Sequence, residues 1–244
     1  MNHDFSFFEH FPANEGFTIT QFGDMNTGKS TYTRDLMQHY LEVRPNNGIL
    51  VFDPNKDRDY ANLNLLRNNQ INKWQTYKEY KQQGSPIRVV RIHPVMDAPR
   101  DKRTESFNEI LRDIHESVNN ALVVFEDILS FVGNNPTDTF KMLIRGNRKK
   151  GNVLLFNVHS YNDTPRIIYE CSQAFVIRHI THAGSVPTKV AGLKPYFTKA
   201  MQEIESQNAL ITLHQKRKKL PIRPYAETMF LRDEQWDNLH KDMS

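Results

Sequence analysis

A single cysteine, Cys171, occurs in 244 residues. No internal disulfide can form and no cysteine-based metal cluster can be built, so a reducing compartment is the simplest reading. Long hydrophobic runs are also missing. Stretches such as residues 121–125 fall far short of the roughly 20 apolar residues that a membrane-spanning helix needs, and no membrane span is expected. The N-terminus has no basic region followed by an apolar core, so no secretion signal is expected either. Internal repeats and low-complexity tracts are absent. Neither sign of charge dominates: 32 Lys and Arg stand against 28 Asp and Glu, a formal net charge of +4. That balance permits a polyanionic partner without demanding one.

Residues 18–32 read T-I-T-Q-F-G-D-M-N-T-G-K-S-T-Y. Gly23, Gly28, Lys29 and Ser30 fill every fixed position of G-x-x-x-x-G-K-[ST], the phosphate-cradling P-loop. Asp24, Met25, Asn26 and Thr27 complete the loop, and Thr31 follows it. The spacing has a physical reason. A buried strand ends, glycines let the backbone fold round an anion, and a helix begins with its free N–H groups facing the phosphates. Lys29 is placed to reach the β- and γ-phosphates of ATP, and the Ser30 hydroxyl to ligate Mg²⁺. The context agrees: Phe17, Ile19 and Phe22 precede the loop, and Leu36, Met37, Tyr40 and Leu41 follow at helical spacing.

A second landmark is A-L-V-V-F-E-D at residues 121–127. Its unbroken apolar run predicts a central parallel strand buried on both faces. Glu126 and Asp127 at its end fill the positions that hold Mg²⁺ and polarise the attacking water in nucleotide hydrolases. The usual order is Asp then Glu, so the inversion leaves open which acid does which task; Asp127 as a plain helix cap is the alternative. Residues 152–158 (N-V-L-L-F-N-V) predict another buried strand. In P-loop ATPases with an extra strand between the P-loop strand and the acidic one, that strand ends in a polar sensor, for which Asn157, His159 and Ser160 are the candidates and His159 is preferred. A histidine in an ordinary loop is the competing reading. Asp53 closes the strand G-I-L-V-F-D at residues 48–53, where open α/β sheets place ligand-facing residues.

The remaining segments frame these landmarks. Residues 1–16 form an arm whose Phe5, Phe7, Phe8 and Phe11 are expected to tuck onto the domain; a docking peptide is the alternative. Residues 57–83 are polar with Trp74, Tyr77 and Tyr80, a helical or irregular excursion whose aromatics are read as local packing, with base-stacking platforms as the alternative. Residues 86–94 alternate like a sheet edge. Helices are expected over 105–118, 137–148, 164–171 and 196–205, with strands over 174–180 and 209–213. The arm (1–16), an ATPase domain (17–225) and a C-terminal tail (226–244) make up the chain. A basic cluster at Lys216–Lys219 with Arg223 is either a patch facing a partner, a polyanion such as DNA among them, or a solvated run.

Taken in order, G-D-M-N-T-G-K-S, G-I-L-V-F-D-P, V-V-R-I-H-P, V-V-F-E-D and I-R-G-N-R-K-K-G-N-V-L-L-F-N-V-H-S resemble the FtsK–HerA superfamily of nucleic-acid-pumping ATPases. Within it, the compact length resembles the genome-packaging ATPases of tailless, membrane-containing double-stranded DNA viruses. The resemblance implies an α/β P-loop NTPase of the additional-strand type, its mainly parallel central sheet flanked by helices on both faces. It implies ATP hydrolysis with Mg²⁺, coupled to movement of double-stranded DNA. The subunits would form a homo-oligomeric ring, six being the expected number, with capsid or portal-vertex proteins as further partners. Host cytoplasm, or a packaging vertex of the virion, is the implied location. Arg145 and Arg148 become candidates for the arginine supplied in trans to a neighbour's ATP, Arg148 being preferred; a solvated basic helix end is the alternative for each. His159 stands where the family often has Gln. Rival readings are a small-molecule kinase, a phage-assembly or conjugation-type ATPase, and a nucleotide-binding scaffold without turnover.

Overall fold

Strands β1 (Thr18–Phe22), β2 (Gly48–Phe52), β5 (Ala121–Phe125), β6 (Val153–Val158) and β7 (Ala174–Arg178) are buried at every residue. Such uninterrupted burial requires cover on both faces, and the sheet has it. The computed structural model describes residues 3, 5–55, 58–61, 64–66, 89–92, 99–132, 135–180, 190–218 and 226–231. Within them lie β3 (Asn64–Leu66), β4 (Val89–Ile92) and β8 (Glu227–Leu231), completing an eight-stranded sheet in the order β3-β4-β2-β5-β6-β1-β7-β8. Every pairing is parallel except β7 with β8.

Alternate residues of each strand feed two cores. One face carries Phe22, Phe52, Val123, Phe125, Leu154 and Phe156. It packs on α2 (Arg100–Ser117), α4 (Asp138–Gly146), α5 (Arg166–Cys171) and α6 (Lys194–Arg217), through residues such as Ile110, Leu143, Ile168 and Phe197. A short α3 (Leu129–Val132) follows the acidic strand end. The opposite face carries Ile19, Val51, Val124, Leu155 and Val176, and among the described residues α1 (Lys29–Val43) is the long helix that packs on it. The N-terminal arm completes the cover there. Phe7 and Phe8 are buried, with Phe8 edge-on to Phe17 at 5.4 Å, and the Arg44 guanidinium lies over the Phe8, Phe17 and Tyr40 rings. Four phenylalanines near the N-terminus thus pack on this face beside α1.

Three expectations need correction. Residues 209–213 are not a strand but lie within α6. The A-L-I-T-L run is short enough to suit either element, and it continues the helical spacing of Phe197, Met201 and Ile204 with no Gly or Pro between. The last strand is instead β8, inside the segment read as a tail, and Phe230 and Leu231 are its buried residues. The strand at residues 86–94, read as an edge, is described over Val89–Ile92 and lies inside the sheet, because β3 pairs beyond it. Trp74, Tyr77, Tyr80, Lys219 and Arg223 lie outside the described residues.

Candidate active site

β1 delivers the chain to Gly23 at the carboxyl end of the sheet. A side chain there would not fit: a Cβ would stand 2.7 Å from Thr27 Oγ1 and 2.9 Å from Arg178 Cβ. The loop then turns through left-handed backbone at Asn26 (φ 62°) and Gly28 (φ 89°), the second being a conformation that glycine adopts without strain. Gly28 caps α1 with no side-chain hydrogen bond, so the first N–H groups of the helix stay open to an anion. Met25 and Asn26 are exposed at the loop's tip, Asp24 and Ser30 are half-buried, and Thr31 is exposed.

Lys29 is buried, and its ammonium donates to the carbonyls of Gly23 at 2.5 Å and Asp24 at 2.8 Å. It lies 3.0 Å from Nδ1 of His159, whose neutral ring nitrogen accepts. Burial lowers the Lys29 pKa to about 8, against the opposing pull of Glu126 and Asp24. Burial and the Lys29 charge together hold His159 below the usual histidine range. The loop's own carbonyls therefore occupy the donors that phosphate oxygens would take.

On the other side, Glu126 follows β5. Burial pushes its carboxyl up to about 7, even though Tyr60 Oη and Asn157 Nδ2 each donate to Oε1 at 2.6 Å and favour the charged form. Asp127 has left-handed backbone (φ 46°) and accepts from Ser130 Oγ at 2.9 Å and Asn55 Nδ2 at 3.2 Å, fastening the turn into α3. Asn157 also donates to Thr33 Oγ1 at 3.0 Å, one helical turn past Lys29, so a buried polar chain joins the acidic strand to α1. β6 lies between β1 and β5, as the resemblance implied, and that placement makes the chain possible. Asp53 is fully buried, with Arg91 Nη1 3.7 Å away.

The structure thus gathers Gly23–Thr31, Glu126, Asp127, His159 and Asn157 at one end of the sheet. Arg145 and Arg148 are not there. Both precede β6, whose six residues span roughly 20 Å of extended chain. Arg148 is 74 % exposed and pairs with Glu15 Oε2 through Nε at 2.9 Å and Nη2 at 2.8 Å; Arg145 is exposed without an ion pair among the described residues. Lys216 and Lys218 are exposed near the end of α6.

Two site residues escaped the sequence reading. Arg178, 1 % exposed at the end of β7, donates Nη1 to the Thr27 carbonyl at 2.8 Å, pairs with Glu227 through Nη2, and lies 5.4 Å above the Tyr32 ring. It braces the loop from below. A charge closing the wholly apolar A-F-V-I strand was a usable signal, because ligands bind at the carboxyl ends of such strands. Tyr60 carried no such signal.

The residues suit a nucleoside triphosphate: a cradle that tolerates no Cβ at Gly23, open helix N–H groups and a buried ammonium. Ser30, Glu126 and Asp127 supply the oxygen donors that Mg²⁺ prefers. No protein-family model and no curated protein matches the sequence. Solved structures do. The genome packaging NTPase B204 from Sulfolobus turreted icosahedral virus 2, in complex with ATP-gammaS, is similar with TM-score 0.56 and 11 % identity over 92 % of this chain and 95 % of that one. The fold is that of an additional-strand P-loop NTPase. B204 from Sulfolobus Turreted Icosahedral Virus, a DNA-packaging ATPase, is similar at 0.53 and 13 % identity over 89 % and 93 %. VirB4 of Thermoanaerobacter pseudethanolicus follows at 0.51 and 8 % over 73 % and 82 %. The resemblance to FtsK–HerA-type ATPases therefore holds at the level of fold. No helix among the described residues is long and apolar enough to cross a membrane.

Proposed function

We propose that this P-loop NTPase hydrolyses ATP with Mg²⁺ and uses the energy to translocate double-stranded DNA, as in packaging of a viral genome into a preformed capsid. One observation carries the hydrolytic part of this reading: Lys29 at the head of α1 and Glu126 at the end of β5 reach the same mouth, joined through Asn157 on the strand between them.

In this reading the N–H groups of the loop and the Lys29 ammonium hold the phosphates, and Ser30 and Glu126 hold the metal. Mg²⁺, when bound, offsets charge on the β- and γ-phosphate oxygens. Lys29 must first leave the Gly23 and Asp24 carbonyls, which the phosphate oxygens replace as acceptors. Asp127 orients the attacking water, and His159, neutral and beside Lys29, reads the γ-phosphate. The subunits form a ring in which Arg148 of one copy reaches the site of the next. Its distance from its own loop suits a role in trans. The DNA partner is held by phosphate contacts, because a motor must grip any sequence, and the pump works at a capsid or portal vertex.

The test is the ATPase rate with and without double-stranded DNA of unrelated sequences, over a salt series. Stimulation by any sequence, fading as salt rises, is expected. Stimulation by a small metabolite and not by DNA overturns the translocase in favour of a kinase.

A further inference from the structure

We infer that Tyr60 is a positioning residue for Glu126, one half of a two-sided clamp that sets which carboxylate oxygen faces a ligand. Tyr60 closes the single turn Arg58–Tyr60 after β2 and is 1 % exposed. Its hydroxyl donates to Glu126 Oε1 at 2.6 Å, and Asn157 Nδ2 donates to the same oxygen at 2.6 Å from β6. One donor comes from the β2 side of β5 and one from the β6 side, the two strands that flank it.

A glutamate at a strand end has three side-chain torsions to fix, one more than the aspartate usual at this position. Convergence of two donors on Oε1 removes that freedom and leaves Oε2 as the oxygen offered to a ligand. The clamp thereby accommodates the Glu126–Asp127 inversion: the additional methylene is held in one place. Its far side continues through Asn157 to Thr33 on α1, so the carboxylate is registered against the helix that carries Lys29. A buried tyrosine hydroxyl needs some partner in any protein. What goes beyond that need is the choice of partner, the acid at the end of the central strand.

The inference rests on the NTPase reading, and two measurements separate the fate of one from the other. The first is steady-state ATP hydrolysis by Tyr60→Phe, which keeps the ring and removes the hydroxyl. The kcat is expected to fall about 10- to 100-fold, with KM for ATP nearly unchanged and a higher Mg²⁺ concentration needed for half-maximal rate. Tyr40→Phe is the control. Its buried hydroxyl accepts from Asn47 at 3.0 Å, away from the site, and its kcat is expected to stay at the wild-type value. The second uses nucleotide-free protein: the Tm loss from Tyr60→Phe, roughly 3–6 °C, should be markedly smaller in a Glu126→Ala background. An unchanged kcat for Tyr60→Phe, or an equal Tm loss in both backgrounds, overturns the clamp. Wild-type protein that hydrolyses no ATP counts against the NTPase reading alone, and the Tm cycle still decides on Tyr60.

Discussion

Lys29 Nζ and His159 Nδ1 stand 3.0 Å apart, a cation donating to a neutral imidazole. Burial of that cation ties nucleotide affinity to pH. With the Lys29 pKa lowered to about 8 by burial, the ammonium loses its proton in mildly alkaline solution before any phosphate arrives. A bound triphosphate restores the charge, so binding above pH 8 takes up a proton. Affinity for Mg-ATP is expected to be flat from pH 7 to about 8 and then to fall toward tenfold per unit. Fold stability moves the other way. Between about 8 and 10.5 the unfolded chain binds the additional proton, so stability rises with pH across that window. Calorimetric titration at pH 7, 8 and 9 checks the first effect; affinity that is constant to pH 9 contradicts it.

Glu126 is a destabilised group in the nucleotide-free protein. Burial raises its pKa from 4.5 to about 7, so the native state holds a proton that the unfolded state has released. Stability therefore falls as pH rises from about 4.5 to 7 and stays lowered above that. Glu126→Gln keeps an Oε1 to accept from Tyr60 and Asn157 while removing the charge. It is expected to stabilise the protein by on the order of 2 kcal/mol at pH 8, and by little near pH 5, while abolishing hydrolysis. Thermal melts at the two pH values decide; a variant less stable than wild type at pH 8 would show that the ionised carboxylate is well solvated.

The loop and the acidic strand were legible because their chemistry needs fixed residue types at fixed spacing: Gly28 for left-handed backbone, Lys29 for charge, and an apolar run before Glu126. The unbroken apolar run of β6 marked it as a buried strand, and its position between β1 and β5 was what the resemblance implied. Arg178 was legible only as a charge closing an apolar strand, and Tyr60 not at all, since both reach their partners through tertiary contacts from β7 and from the turn after β2. The same cause produced the error at residues 209–213. The A-L-I-T-L run fits either element, and it is the long α6, anchored through Phe197 against Phe175 and Phe230, that carries the helix through it. The sensor preference was divided by the structure: His159 meets Lys29, and Asn157 meets Glu126.

Arg148 and Arg145 are separable by substitution. Arg148→Ala is expected to lower kcat of the assembled protein by about 10³-fold, with ATP binding unchanged, as for loss of a transition-state cation supplied in trans. Arg145→Ala is expected to have a smaller effect. Glu15→Ala, which frees Arg148 from its exposed ion pair, should leave stability within experimental error. Turnover at saturating ATP, measured on material shown to be oligomeric, distinguishes them; a neutral Arg148→Ala removes it from the mechanism.

The phenylalanine arm makes the last prediction, because one of its two readings expects a loss in a stability measurement and the other expects none. If residues 1–16 were a peptide held for an outside partner, truncating a phenylalanine would leave the free protein as stable as before. The structure instead seats Phe7 at 0 % exposure, its ring 4.7 Å from Phe8 and 6.1 Å from Phe17, closing the face that α1 covers only in part. Phe7→Ala opens a cavity there and is expected to cost about 3–5 kcal/mol, or roughly 6–20 °C in Tm for a chain of this size. Phe5, only partly buried and stacked on His39 at 5.1 Å, should cost markedly less when truncated. Equal melting temperatures for Phe7→Ala and wild type would return the arm to the role of a docking peptide.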